Sequence, residues 1–587
     1  MNIFKKIERE LHLIIEQLKA EGKLPQNVIA DKVEAMPPRD AAHGDIATNA
    51  AMVIAAQISR NPKDIAALLA ERLGNMAGIV KADIAGPGFI NLTLSPSVWQ
   101  EALLDIVESG VDYGNSEMGQ RVKINVEYVS ANPTGPLHVG HGRGAVYGDA
   151  LANLLVKAGY DVTKEYYIND AGAQVDTLVQ SVRQRYLEAC GKVTPKFPIG
   201  LYPGEYLIPV GEAFYREHGN KYLHQSSNVW WDQLREYTLN AMLQLIKDDL
   251  VALGIKHDVF TFERAITHSG EVEEAIAALE KKGLIYQGIL EPPKGKTPED
   301  WESREQTLFR STQFGDDCDR PVKKSDGSWT YFAPDIAYHF DKCKRGFVKL
   351  IDVLGADHGG YAKRIKAAVT ALSDGKVELE VKLCQLVKFM RGGEPLKMSK
   401  RAGTFVTVRE VVDEVGKDVF RFIMLTRKND VPLDFDFAKV MEQSKDNPVF
   451  YVQYAHARCR SLLRNERQLS EKEKTSVNCE LSTDNCAVHR LTHPEELKLI
   501  RHLCNWPRLV EQAAVALEPH RIAFYLHDLA AAFHGFWHQG NDDLGLRFLV
   551  KDDIELTAAR IMLARAISQV IASGLKVLGV EPVEEMR

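Results

Sequence analysis

Apolar residues recur at helical spacing at the start of the chain, where Ile3, Phe4, Ile7, Leu11, Ile14, Ile15 and Leu18 share one face of MNIFKKIERELHLIIEQLKAEGK. That spacing predicts an amphipathic surface helix. A second helical stretch is predicted over GDIATNAAMVIAAQISRNPKDIAALLAERL (44–73), and the run GFINLTLS (88–95) reads as a strand closing against Pro96. Residues 1–115 thus read as a small α+β unit, and the polar run GNSEMGQR (114–121) as the linker that ends it.

From Val122 the period changes. VKINVEYVS places Val122, Ile124, Val126 and Tyr128 on one face of a strand, a helix follows over about 140–158, and YDVTKEYYIND (160–170) returns to strand. Gly159 stands where a helix needs a left-handed terminal residue. Strand, helix, strand predicts a parallel sheet with ligand at the carboxyl ends of its strands. Residues of about 180–310 read as a mostly helical insertion with breaks such as EPPKGKTPEDWESRE. The sheet pattern resumes at SWTYFAPDIAYHF (328–340) and continues through GFVKLIDVLGADH and VELEVKLCQLVKF, so that the sheet runs from Val122 to Phe389. Residues 406–446 read as a connecting stem. From residue 447 to 587 the pattern is helical, with one polar interruption (466–497) expected to be a surface loop.

At 587 residues the chain exceeds what one core can serve. The net charge of −7 counts somewhat against a protein that lives permanently on nucleic acid, without excluding local basic surfaces. Eight cysteines lie far apart with no metal-binding spacing and are expected to be reduced thiols. Glu8, Glu10 and Glu16 argue against a signal or transit peptide in the first helix, and no apolar run suggests a bilayer span. A cytoplasmic protein without a membrane partner is expected.

Candidate chemistry concentrates in SANPTGPLHVGHGRGAVYGDALANLL (130–155). A dinucleotide fingerprint would use Gly142, Gly144 and Gly148 with Asp170 on the ribose, as in a nicotinamide-dependent oxidoreductase. It fails because Pro133 and Pro136 make the turn upstream and leave the glycines inside the helix. A metal shared by His138 and His141 lacks a completing ligand, so no metal site is expected; a pair of helix-capping histidines is the simpler reading. The third reading is phosphate chemistry: a helix N-terminus offers unpaired N–H groups, the imidazoles add donors, and Gly140 and Gly142 let a nucleotide lie against bare backbone.

A second motif decides between them. RGGEPLKMSKRAGT (391–404) sets Lys397 and Lys400 three apart in a loop hinged by Gly392, Gly393 and Gly403. With HVGH before and KMSK after, on a split α/β domain, the sequence resembles the class I aminoacyl-tRNA synthetases. VEYVSANPTGPLHVGHGR, YYINDAGAQ, YPGEYL, SWTYFAPDIAYHFDK, VLGADHGGY and VLGVEPVEEM, together with HGDIATN and GPGFINLTLS near the start, resemble the bacterial-type arginyl-tRNA synthetases in particular. Val139 stands for the usual isoleucine of the first signature, and Arg401 follows the second.

The resemblance implies a multidomain α/β protein: a Rossmann-like catalytic domain (116–405), a small tRNA-contacting N-terminal domain (1–115), and an all-α anticodon-binding domain (447–587). It implies a two-step reaction in which arginine attacks Mg²⁺-ATP to give arginyl-adenylate, and the terminal ribose of tRNA(Arg) then takes the arginyl group. No tightly bound cofactor and a monomer are implied. His138, His141, Lys397 and Lys400 match the catalytic signatures. Pro136, Gly140, Gly355, Asp357, His358 and Met398 match the ATP-facing segments. Glu127, Ser130, Asn132, Tyr331, Asp335 and Tyr338, with His141, match the arginine site, and Gln174 is a further candidate. Glu127 and Asp335 are expected near strand ends, where planar carboxylates suit a guanidinium fork. In NPVFYVQYAHARCRSLLRN (447–465), Tyr451 and Tyr454 interleave with His456, Arg458, Arg460 and Arg464, a mix suited to stacking on tRNA bases and contacting phosphates. A surviving RNA-binding relative that had lost activity would be expected to lack His138, His141 or Lys400; all are present.

Overall fold

Both faces of the strand Lys123–Glu127 are covered, Ile124 and Val126 on one side and Asn125 and Glu127 on the other. This is the burial of a central strand in a parallel sheet. The computed structural model describes residues 2–192, 197–290, 304–396, 406–444, 446–472, 487–550 and 552–586. In it the sheet has five parallel strands in the order Glu378–Cys384, Lys349–Gly355, Lys123–Glu127, Asp161–Ile168 and Val259–Phe262. From the middle strand the chain winds one way to Val259–Phe262 and later the other way to Glu378–Cys384. The switch point therefore lies between the carboxyl ends of Lys123–Glu127 and Lys349–Gly355.

Three expectations about this sheet need correction. SWTYFAPDIAYHF is not strand: Phe332–Lys344 is a helix, because Phe332, Ala333, Ile336 and Ala337 bury a stripe at helical spacing against the sheet. The insertion is not a single helical block, since it contains the edge strand Val259–Phe262 and the strands Ile285–Ile289 and Glu305–Phe309, which pair antiparallel. The parallel sheet ends at Cys384. Val387–Arg391, which holds Phe389, belongs instead to a separate small sheet with Glu394–Pro395 and Leu433–Asp436.

The N-terminal unit is a four-stranded antiparallel sheet (Ala35–Met36, Ile46–Thr48, Phe89–Leu94, Ile79–Ala85). The first helix, Ile3–Ala20, buries the predicted face against it. The second helical stretch divides into the strand Ile46–Thr48 and the helices Ala50–Ile58 and Pro62–Gly74, broken at Ser59 (φ 53°) and Pro62. The polar linker then wraps the end of the helix Val139–Lys157, its Ser116, Gly119 and Arg121 amides donating to Lys157, Ala158 and Gly159 at 2.9 Å. Gly159 has φ 91°, as its place after a helix requires.

The C-terminal helices are Pro448–Lys472, Pro494–Cys504, Trp506–Ala516, His520–Asp542 and Ile554–Leu578. The first continues into the region expected to be a loop, and residues 473–486 lie outside the described residues. Ile554–Leu578 is, contrary to expectation, long and apolar enough to cross a bilayer, but most of its apolar stretch is buried among its neighbours. Ala564, Ile567, Val570 and Ile571 form the core that joins it to the other helices and to Val139–Lys157. The six cysteines among the described residues are unbridged.

The helix Val139–Lys157 uses its glycines for packing. Gly142 lies against the Phe420 ring and Gly148 against Tyr128, where a Cβ would collide. The bare backbone at Gly142 therefore serves helix packing and not nucleotide approach. Tyr128 cannot give way, because it donates to Asp149 at 3.2 Å and packs on His257 at 4.2 Å. Gly148→Ala is expected to cost about 1–3 kcal/mol through overpacking, read as a lowered urea midpoint with unchanged slope.

Candidate active site

Immediately after the strand Lys123–Glu127 the backbone turns through Val129 (φ 72°) and Ser130 (φ 39°). A β-branched residue with positive φ is costly, and such strain persists only where surrounding contacts hold it. Here Ser130 Oγ donates to Glu127 Oε1 at 2.9 Å and accepts from the Tyr167 amide at 3.1 Å. The Ala131 amide and carbonyl both bond to the buried Tyr166 hydroxyl, at 3.1 and 2.9 Å. Asn132 donates to Gln174 at 2.9 Å, so these two candidates stand side by side.

The turn itself is clamped from outside the motif. Tyr206, of the YPGEYL run, packs over Gly135 and donates to Thr134 O at 2.7 Å. Asp249 accepts from the Leu137 amide at 2.8 Å. Pro136 is half-buried within this clamp. The helix Val139–Lys157 then begins with His138 as its N-cap, and the His138 Nδ1 accepts from the Gly140 amide at 3.1 Å. With Nδ1 accepting, a neutral ring carries its proton on Nε2, which becomes a donor. The His138 and His141 rings stack at 3.7 Å. The capping reading holds for His138, one nitrogen of which serves the helix.

Lys397, Met398 and Lys400 lie outside the described residues. Both flanks of their loop are fixed. Gly392 and Gly393 make a hairpin turn (φ 60° and 86°) whose amides donate to Asp436 at 3.0 and 2.8 Å, so they are a pinned turn and not the expected hinge. Downstream, the Val139 amide donates to Val406 O at 2.9 Å and the Val408 amide to Leu137 O at 2.8 Å. The exit of the lysine loop is therefore paired directly with the HVGH backbone.

Asp335 lies in the first turn of the helix Phe332–Lys344 and not on a strand, but it faces Glu127 at the end of one strand and Tyr167 near the end of the next. Helical spacing puts Tyr331, Asp335 and Tyr338 along one side. Tyr338 is buried and Tyr331 is largely exposed at the helix mouth. Burial pushes the Asp335 carboxyl up to about 6, against a hydrogen bond from Tyr361 and the attraction of His339, with Glu127 and Asp352 adding repulsion. Glu263, which the sequence reading missed, follows the edge strand Val259–Phe262. Burial, then Asp335 and Asp170, push it up to about 7. Its signal was the short strand DVFTF just before it, hidden within the presumed insertion.

Glu127 is not free. Its Oε2 lies 2.6 Å from Lys342 Nζ and its Oε1 accepts from Ser130, so this carboxylate is neutralised from within the protein. Asp170 accepts from the Arg264 amide at 2.9 Å and is buried, which removes it as a ribose ligand. Gly355 ends its strand at the switch point, and Asp357 and His358 follow on an exposed turn, Ala356–His358.

In the C-terminal region Tyr451 and Tyr454 are half-exposed. Arg458 donates to the Tyr454 hydroxyl at 2.7 Å and lies over the Tyr454 and Trp537 rings at 4.2 and 4.9 Å. The neighbouring candidates do something else: His456 is buried against Val583 O, and Arg460 and Arg464 hold the tail at Glu584. VLGVEPVEEM thereby packs back onto the helix Pro448–Lys472, with Met586 at the end of the described chain.

Family models match three consecutive parts of the chain: an arginyl tRNA synthetase N-terminal domain at residues 2–94, a class I (R) tRNA synthetase catalytic domain at 102–460, and a DALR anticodon binding domain at 452–586. Arginine–tRNA ligases of Ruegeria pomeroyi and Roseobacter denitrificans are each 58% identical to it, over 100% of both chains. The fold is similar to that of the Thermus thermophilus arginyl-tRNA synthetase, with a TM-score of 0.72 at 20% identity over 99% of this chain and 100% of that one.

Proposed function

Because the chain belongs to the arginyl-tRNA synthetase family and charges tRNA(Arg) with arginine using ATP, we propose that its chemistry runs at the switch point between Glu127 and Gly355. The arginine carboxylate attacks the α-phosphorus of ATP, pyrophosphate departs, and the terminal ribose of tRNA(Arg) then displaces AMP from the arginyl-adenylate. Mg²⁺ enters with ATP as part of the substrate. His138 Nε2 and His141 donate to phosphoryl oxygens as charge develops, with Gly140 leaving room at the helix mouth. Lys397 and Lys400 close on the departing pyrophosphate, with Met398 packing beside the nucleotide. Gly355, Asp357 and His358 face the adenosine, and Pro136 borders it. Asn132 and Gln174 meet the amino-acid end of the substrate with Ser130.

The observation that carries this reading is a pair of carboxylates, Asp335 and Glu263, that no lysine or arginine among the described residues pairs with. They stand beside Tyr167, Tyr338 and Tyr361 at the carboxyl ends of the sheet. A buried acid without a cation is held in reserve for one that arrives, and a guanidinium offers five donors to a carboxylate fork. Tyr331 borders the entrance.

Arginine-dependent exchange of pyrophosphate into ATP, run with and without tRNA(Arg) and beside lysine and citrulline, tests the reading. Exchange is expected with arginine alone among the three amino acids; exchange with lysine instead would refute the specificity. Asp335→Asn is expected to raise the KM for arginine by about 10–100-fold, the loss of a charge-assisted bond, and to narrow the preference for arginine over citrulline. Unchanged preference would remove Asp335 from guanidinium recognition.

We assign tRNA contact to residues 1–115 and 447–587, with Tyr451, Tyr454 and Arg458 as a stacking surface. Catalysis falls to residues 116–405 and the connecting stem to 406–446. A monomer acting in the cytoplasm, where tRNA is used, completes the proposal.

A further inference from the structure

Beneath the arginine pocket lies a set of buried charges that balances. Lys342 is fully buried, with Nζ 2.6 Å from Glu127 Oε2 and 3.4 Å from Asp352 Oδ1, over the Tyr338 ring at 4.2 Å. His339 lies with Nδ1 2.8 Å from Asp335 O and Nε2 2.9 Å from Asp352 Oδ2. A carbonyl and a carboxylate both accept, so both ring nitrogens carry protons and His339 is an imidazolium. Burial opposes that charge, and Asp352 outweighs it and raises the His339 pKa. Burial likewise opposes ionisation of Asp352, but Lys342 and His339 hold it down to about 2. Next to this group, Arg345 holds both oxygens of Glu165 at 2.9 Å. Two carboxylates thus face two cations and a third is paired with Arg345, whereas Asp335 and Glu263 have no lysine or arginine partner among the described residues and Asp170 beside them is held by the Arg264 amide.

We infer that Lys342 is a positioning residue for arginine recognition: with the His339 imidazolium, its ammonium balances Glu127 and Asp352 inside the protein and leaves Asp335 and Glu263 as the carboxylates that meet the guanidinium. Without it, one carboxylate in the wall beneath the cleft would lack a balancing cation, competing for the substrate cation and raising the cost of ionising Asp335. With it, the pocket presents a charge set for one guanidinium. The inference rests on the arginine pocket proposed above.

The groups facing Asp335 are Glu127, Asp352 and Tyr167 from the strands, His339 from its own helix, Tyr361 from the helix Gly359–Ser373, and Glu263; Lys342, Tyr338 and Glu165 stand behind Glu127 and Asp352. Their balance can be shifted in either direction. Lys342→Met leaves one surplus negative charge, which disfavours the Asp335 carboxylate. Glu127→Gln leaves one surplus positive charge, which favours it.

The test is the acid limb of kcat/KM for arginine in pyrophosphate exchange with tRNA(Arg), between pH 5 and 8, which reports groups of the free enzyme. The limb is expected to move up by about one pH unit in Lys342→Met and down in Glu127→Gln, with the change carried by the KM for arginine and the KM for ATP unmoved. A merely structural lysine would lower the active fraction and move neither limb; that result overturns the inference. Should Lys342→Met not fold, Glu127→Gln carries the test alone, and an unmoved limb overturns it equally. If Asp335→Asn leaves the arginine KM unchanged, it is the pocket assignment that fails, whatever the limbs do.

Discussion

Replacing His141 with alanine is expected to lower the turnover of arginyl-adenylate formation by about 10²–10³, the usual cost of removing one donor to a developing oxyanion. His141 stands in the first turn of Val139–Lys157, partly exposed, its ring stacked on His138 at 3.7 Å. The cap of the helix is His138, whose Nδ1 accepts from the Gly140 amide. The two histidines should therefore separate. His141→Ala keeps the cap, while His138→Ala loses ~0.5–2 kcal/mol of stability with it. His138→Asn keeps an acceptor for the cap and isolates the catalytic loss. Single-turnover adenylation, with urea unfolding alongside, checks both. The fall should appear in kcat with little change in the KM for ATP, because the donor acts as charge moves to the departing pyrophosphate. A rise in KM at unchanged kcat would make the pair a ground-state clamp for the triphosphate.

What the sequence announced most clearly was local. HVGH after a proline turn predicted a helix with both histidines at its mouth, and the helix Val139–Lys157 is there with His138 as its cap and His141 in its first turn. What escaped was set by partners distant in sequence. Gly142 and Gly148 resemble nucleotide glycines until Phe420 and Tyr128 are seen against them. Asp335 was misplaced because FAPDIAYHF is rich in aromatic and apolar residues that fit either a strand or a helix, and only packing against the sheet selects the helical period. Glu127 looked available from its place at a strand end. Its neutralisation by Lys342, 215 positions later, is a fact of tertiary structure alone. Glu263 was passed over because a four-residue strand carries too little periodicity to be separated from the helices around it.

The largest expected effect on stability is at Arg421. Its guanidinium is fully buried and joins three helix segments: Nε donates to Leu578 O at 2.8 Å, Nη1 to Leu253 O at 2.9 Å, and Nη2 to Asp149 Oδ2 at 2.6 Å. Gly579 (φ 69°) lies flat against it, where any side chain would collide. Asp149, in the middle of Val139–Lys157, is also held by Lys164 at 2.7 Å. Burial works against its carboxylate, yet Arg421 and Lys164 keep its pKa below the ordinary value. Arg421→Met is expected to cost about 3–5 kcal/mol, since it strands a buried carboxylate and two helix-terminal carbonyls together. The helix it loosens is the one that carries His138 and His141, so adenylation should weaken with stability. Asp149→Asn combined with Arg421→Met should cost less than the sum of the two single changes, the coupling expected of contacting partners. The sign of the pH dependence follows from the depressed pKa. The stabilisation from Asp149 is present above its unfolded value of about 3.9 and is lost as pH falls through the lower folded value. The gap between wild type and Arg421→Met should therefore narrow below about pH 4, and a gap constant from pH 7 to pH 3 would mean that Arg421 acts through packing rather than through the charge of Asp149.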